Sequence, residues 1–139
     1  MKFEYTIEGG DFTHTGYASS QVKKTLKQLN VDPKLIKRVV VCLYEAEVNV
    51  VAHAYSGTIF IDISTDKIVV KLVDKGPGIP DIDLAMQKGY STATSEVREM
   101  GFGAGMGLPN IKNNADEFNI KSEVNQGTTL EIAVFLNQQ

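Results

Sequence analysis

The sequence predicts an α+β fold: a two-layer sandwich whose helices cover one face of a mixed, mainly antiparallel sheet. Three observations carry that prediction. Apolar residues alternate in short stretches that arrive in pairs across tight turns, 59–63 with 68–73 and 118–124 with 130–136, and paired stretches of that kind are hairpins. Two longer stretches, 13–29 and 33–54, carry their apolar residues at helical spacing instead. The order along the chain is strand, helix, helix, hairpin, short helix, glycine-rich loop, helix, hairpin, which leaves the helices to stack together on one side of the sheet.

Each element has its own local reason. Phe3, Tyr5 and Ile7 alternate with Lys2, Glu4, Thr6 and Glu8, and Gly9-Gly10 stops that strand. Over 13–29 the apolar stripe is Ala18, Val22, Leu26 and Leu29, with Asn30 closing the helix. Asp32-Pro33 opens the next helix: Asp offers an N-cap acceptor, and Pro suits the first helical position because no N–H is needed there. Its core stripe is Leu35, Val39, Leu43, Ala46, Val50 and Ala54, with Cys42 also read as a core residue. The same helix places Glu45, Asn49 and His53 at four-residue spacing on one face. That face is either solvated or the polar edge of a site. The second strand of the first hairpin, 68–73, is the more continuously apolar one. It is expected at the centre of the sheet, ending at Asp74. Pro80-Asp81 opens a short helical segment through Leu84, Ala85 and Met86. A helix near 106–114 ends at Asn113-Asn114, and Asn125-Gln126-Gly127 turns the chain between the last two strands.

Composition narrows the functions. A formal net charge of −3 without a long run of one sign speaks against a general nucleic-acid binder. No apolar stretch reaches the ~20 residues of a membrane span, so neither nucleic acid nor a membrane is expected as a partner. A single cysteine forms no internal disulfide and fits a reducing compartment. The alternating N-terminal residues do not resemble a signal peptide. The expectation is one cytoplasmic domain over 1–139.

Three stretches carry chemistry. Asp74-Lys75-Gly76-Pro77-Gly78-Ile79 puts a carboxylate at a strand end and two glycines behind it. Asp74 is either a turn residue or a buried acceptor for an exocyclic amine, which favours adenine over guanine, with Gly76 and Gly78 admitting a flat ring at close range. Residues 88–107 have little periodicity and glycines at 89, 101, 103, 105 and 107, and a loop of about 20 residues in a small domain is usually functional. It contains neither a P-loop nor a Rossmann fingerprint. Glycines spaced by two and running into a helix expose backbone N–H groups beside a positive dipole end, which is either a phosphate cradle or a hinge.

Together these stretches resemble a known superfamily. Glu45-Ala46, Asn49 and His53-Ala54-Tyr55 are similar to the N-box of the GHKL superfamily, which includes the ATP-binding domains of gyrase and histidine kinases. Asp74, Gly76, Gly78 and Ile79 resemble its G1 box, residues 101–108 its G2 box, and Gly127-Thr128-Thr129 the motif before its last strand. All appear in the superfamily's order and span about 35–136. The resemblance implies the Bergerat fold. Within it the chain looks most like the anti-sigma factor serine/threonine kinases and their stress-switch relatives, on three features: the N-box form, Ile79-Pro80-Asp81-Ile82 after the G1 box, and Tyr90-Ser91-Thr92, Glu96, Arg98 and Gly101-Phe102-Gly103 in the lid. The lid glycines are more numerous than the usual pattern.

The resemblance implies ATP and Mg²⁺ as cofactors and gives each matched residue a role. Glu45 corresponds to the general base acting on a substrate hydroxyl or a water, and Asn49 to the Mg²⁺ ligand. Asp74 would read the adenine amine, with Gly76, Gly78 and Ile79 close to the base and Thr128 holding Asp74 and a water. Gly103, Gly105, Met106, Gly107 and Leu108 would lie along the triphosphate, and Arg98 would reach phosphate or a partner. The implied function is a serine/threonine protein kinase that phosphorylates a small partner resembling an anti-sigma factor antagonist. A sigma factor is a further candidate partner and a homodimer a candidate assembly. A nucleotide-dependent binding module without transfer activity and a slow ATPase are the alternatives. A histidine kinase is disfavoured, because no helix pair with a phospho-acceptor histidine precedes the domain.

Overall fold

Helix α2 (Pro33–His53) is the spine of the molecule. Its N-cap Asp32 accepts a hydrogen bond from the Lys34 N–H at 2.9 Å, with Pro33 in the first turn, the start that the sequence predicts. One face is apolar along its length: Ile36, Val39, Leu43, Ala46 and Val50 are buried together. The computed structural model describes residues 1–87 and 107–136. The remaining elements are β1 (Lys2–Glu8), a 3-10 turn (Phe12–His14), α1 (Tyr17–Gln28), β2 (Ser56–Ile63), β3 (Lys67–Lys75), α3 (Ile82–Ala85), α4 (Gly107–Asn114), β4 (Glu117–Glu123) and β5 (Gly127–Phe135).

The strands form one sheet in the order β1-β2-β3-β5-β4, and every described pairing is antiparallel. β3 takes the central place expected of it, because β5 inserts between β3 and β4. Strand alternation sorts the side chains. Ile59, Ile61, Ile68, Val70, Leu72, Leu130, Ile132 and Val134 face α2 and are buried in one cluster with its apolar stripe. Each such side chain contributes about 1.5–3 kcal/mol by leaving water. Their neighbours in sequence point away from the helices, and there Phe60 and Val73 remain exposed. The result is the helix-on-sheet α+β sandwich that the pattern predicts.

Two details differ from the expectations and a third was not among them. The first helix does not run from 13. Gly16 adopts φ 97°, a left-handed conformation, and separates the 3-10 turn from α1. Leu29, placed on the core stripe by spacing, is 44% exposed because it lies beyond the end of α1. The third is Glu47, buried on α2. Its carboxylate accepts the N–H groups of Gly16 and Ser19, each at 2.7 Å, and so caps the start of α1 from a neighbouring helix. Burial raises its pKa, against the pull of those N–H bonds.

α4 packs beside α2 and is fastened at its end. Arg38 on α2 donates from Nε to the Asn114 carbonyl at 3.0 Å and pairs through Nη2 with Asp116 at 3.0 Å. Cys42 is a core residue, as expected. Its thiol contacts the Ile111 carbonyl at 3.6 Å, and burial pushes its pKa to about 12. Among the described residues, no helix is long and apolar enough to cross a membrane.

Candidate functional site

At one end of the sheet the apolar rows become polar. The inward row of β3 runs Ile68, Val70, Leu72, Asp74, that of β5 runs Val134, Ile132, Leu130, Thr128, and that of β4 runs Phe118, Ile120, Ser122. Asp74, Thr128 and Ser122 therefore stand side by side on the helix-facing surface, where alternation dictates that they must. Asp74 Oδ1 accepts the Thr128 N–H at 2.9 Å. The Thr128 and Ser122 hydroxyls are 2.8 Å apart. Ser122 Oγ also accepts the Ile79 N–H at 2.7 Å and lies 3.1 Å from the Gly127 carbonyl. Burial raises the Asp74 pKa, with the Thr128 N–H pulling the other way.

The glycines of this end have packing reasons of their own. A Cβ on Gly76 would lie 3.0 Å from Ala54 Cα at the end of α2. One on Gly78, whose φ is +75°, would lie 2.3 Å from the Glu123 carbonyl oxygen. The chain after β3 is thus pressed between α2 and the end of β4. This close approach is where the sequence placed a flat ring; the structure gives the same two glycines neighbours within the chain.

The other end of the site lies between α2 and α4. Glu45 and Asn49, one turn apart on α2, both face the first turn of α4. A Cβ on Gly107 would lie 3.0 Å from Asn49 Oδ1 and 3.4 Å from Glu45 Oε2. Glycine keeps that space open in front of an amide oxygen and a carboxylate. Asn110, one turn further along α4, donates from Nδ2 to Glu45 Oε1 at 3.4 Å. Leu108, assigned to the triphosphate, turns its side chain into the core at 8% exposure. His53, the third residue on the Glu45 face, is half-buried, and burial lowers its imidazole pKa. Arg98, Gly103, Gly105 and Met106 lie outside the described residues.

The donor set suits magnesium. Among the described residues, no three His, Cys, Asp or Glu side chains converge as a metal cage. Magnesium does not call for one: it takes one or two protein oxygens and completes its shell with phosphate oxygens and waters. Asn49 Oδ1, beside a space that any side chain at 107 would fill, is such an oxygen.

Sequence reasoning passed over Asn110 and Ser122. For Ser122 a signal existed: a hydroxyl continues the apolar row of Phe118 and Ile120 toward the sheet end that holds Asp74. For Asn110 none did, since a polar residue in a short helix is ordinary.

Comparison with known proteins follows the same lines. Residues 11–134 match the model of the histidine kinase-like ATPase domain. The chain is 34% identical over 103 residues to serine/threonine-protein kinase RsbT of Bacillus subtilis, covering 71% of each chain. It is 30% identical over 125 residues to an anti-sigma F factor of Thermoanaerobacter, covering 86% of this chain and 84% of that one. It is 33% identical over 138 residues to an anti-sigma F factor of Geobacillus kaustophilus, covering 94% and 86%. The chain belongs to the histidine kinase-like ATPase domain family, in the branch of the GHKL superfamily that holds the anti-sigma factor serine/threonine kinases.

Proposed function

We propose that this protein is an ATP-dependent serine/threonine protein kinase of the anti-sigma, stress-switch type, and that it phosphorylates a small partner resembling an anti-sigma factor antagonist. One observation supports it above the others: Glu45 and Asn49 of α2 converge on the first turn of α4 at Gly107, while the chain from Asp74 to Gly76 reaches Ala54 at the C-terminal end of the same helix. A nucleotide bound with its base at Asp74 would direct its phosphates toward α4, whose N-terminus favours anions.

In this reading Asp74 accepts from the adenine amine. Glu45 accepts the proton of the partner's serine or threonine hydroxyl as that oxygen attacks the γ-phosphate and ADP departs. Asn110 steadies Glu45 from α4. Asn49 would hold Mg²⁺, which would offset the charge of the phosphates when bound. Gly76, Gly78 and Ile79 line the base, and Gly107, with Arg98, Gly103, Gly105 and Met106, borders the triphosphate. A sigma factor is a second protein partner and a homodimer the working assembly. Retention of each with and without ATP and Mg²⁺, and sedimentation of the purified chain, test these two points.

The test of the activity is transfer of label from γ-labelled ATP to a purified antagonist protein of the same organism. Phosphoserine or phosphothreonine on the antagonist is expected. Glu45→Ala should lower transfer by about 10²–10⁴-fold while nucleotide affinity stays close to that of the parent. If no partner is labelled and Glu45→Ala leaves partner retention intact, the protein is a nucleotide-dependent binding module instead.

A further inference from the structure

Ser122 has no role of its own in the reading above, yet it touches Ile79, Gly127 and Thr128, the residues around the base end. Its single oxygen meets the Ile79 N–H at 2.7 Å, the Gly127 carbonyl at 3.1 Å and the Thr128 hydroxyl at 2.8 Å. A serine hydroxyl has one proton and two lone pairs. The Ile79 amide can only donate, and the Gly127 carbonyl can only accept. Only one distribution satisfies all three contacts: Ser122 gives its proton to the Gly127 carbonyl and accepts from both the Ile79 N–H and the Thr128 O–H. If Ser122 instead donated to Thr128, the Gly127 contact would be left without a hydrogen.

The consequence falls on Thr128. Its one proton is committed to Ser122, so only lone pairs remain for a ligand. Its neighbour Asp74, ionised, is also an acceptor. Facing the 6-position, two adjacent acceptors take the two N–H bonds of an amino group and leave a carbonyl facing lone pairs, which costs far more than a merely missing bond. We infer that Ser122 is the positioning residue that sets base selectivity: by taking the Thr128 proton, it makes the floor of the cleft acceptor-only and so favours a 6-amino purine over a 6-oxo purine. This inference rests on the proposed placement of the base at Asp74. It goes further in assigning selectivity to a residue outside the resembling motifs, acting through the direction of one hydroxyl proton.

Displacement of a fluorescent ATP analogue by ATP and by inosine triphosphate, which differ at the 6-position and in the N1 proton that the 6-oxo form carries, tests it. The parent should prefer ATP. In Ser122→Ala the Thr128 proton is released and can turn toward the cleft, so the ATP/ITP preference should fall about five- to tenfold, the effect of one hydrogen bond. Ser122→Thr keeps the hydroxyl and suits a strand, so it should restore the preference. A purely structural role would weaken both nucleotides together and leave their ratio unchanged. If Ser122→Ala does not fold, Ser122→Cys, with its weaker donor and acceptor, is measured in its place and should shift the ratio in the same direction. An unchanged ratio in the folded variant overturns the inference while leaving the adenine site standing. A parent that binds neither nucleotide, or both equally, overturns the placement of the base at Asp74 itself, and the role of Ser122 with it.

Discussion

The two ends of the proposed nucleotide site are built differently. At the sheet end, Asp74, Thr128, Ser122 and Ile79 are tied by bonds of 2.7–2.9 Å among strand residues and the turn that follows β3. At the other end, Glu45 and Asn49 project from one helix toward another, and the contact that joins Glu45 to Asn110 is 3.4 Å long. The first is a fixed template, set by a sheet in which neighbouring strands allow little play. The second depends on how α4 lies against α2. A kinase gains from that division: the base must be recognised identically each time, whereas the groups around the γ-phosphate must accept a substrate, a product and a protein partner in turn.

Substitutions can break that contrast. The largest effect is expected from Asp74→Asn, which presents an amide where an amine must be accepted. ATP affinity should fall by about a hundredfold or more, since a site built to receive a donor rejects a mismatch strongly. The fold should not suffer. Burial raises the folded pKa of Asp74, so the native state binds more protons than the unfolded one between the two values. Stability from this group is therefore complete below the unfolded pKa and declines as pH rises through the folded one. Asparagine removes that decline, and calorimetry at neutral pH should give a melting temperature equal to or above the parent's. In the parent, ATP affinity should weaken on acidification at a pH above the ordinary aspartate range, and Asp74→Asn should abolish that dependence.

The glycines sharpen the contrast. Gly107→Ala puts a methyl group 3.0 Å from Asn49 Oδ1 and 3.4 Å from Glu45 Oε2, displacing the groups that must align. Transfer should fall by about ten- to a hundredfold with little change in melting. Gly78→Ala acts the other way: a left-handed φ of 75° and an approach of 2.3 Å to the Glu123 carbonyl oxygen should cost stability, by about 1–3 kcal/mol in a denaturant titration. Similar effects on stability from both would remove the distinction between a fixed end and an adaptable one. The smallest change is expected from Asn110→Ala, which frees Glu45 Oε1. Transfer should drop about threefold, the net worth of one weak hydrogen bond, with nucleotide affinity unaltered.

Much of this was legible in the chain because it depends on periods. Alternation gave the hairpins and, carried two residues past Leu72, puts Asp74 on the helix side of the sheet. The four-residue step gave Glu45 and Asn49 a common face. What alternation cannot give is which strands become neighbours: β5 lies between β3 and β4, and only that insertion sets Thr128 and Ser122 beside Asp74. The contact of Asn110 with Glu45 likewise depends on helix packing across 65 residues of sequence. The early start assigned to α1 failed at Gly16, because helical spacing of apolar residues does not reveal a left-handed φ.

One nucleotide should span both ends, with adenine at Asp74 and its phosphates at Asn49. Calorimetric titration of adenosine and of ATP, each with and without Mg²⁺, into the parent and Asn49→Ala tests it most directly. Adenosine should bind both proteins alike and without regard to Mg²⁺; ATP should bind the parent more tightly when Mg²⁺ is present, and Asn49→Ala should lose that gain. An ATP gain that survives Asn49→Ala, or the absence of heat with either ligand, would contradict the account.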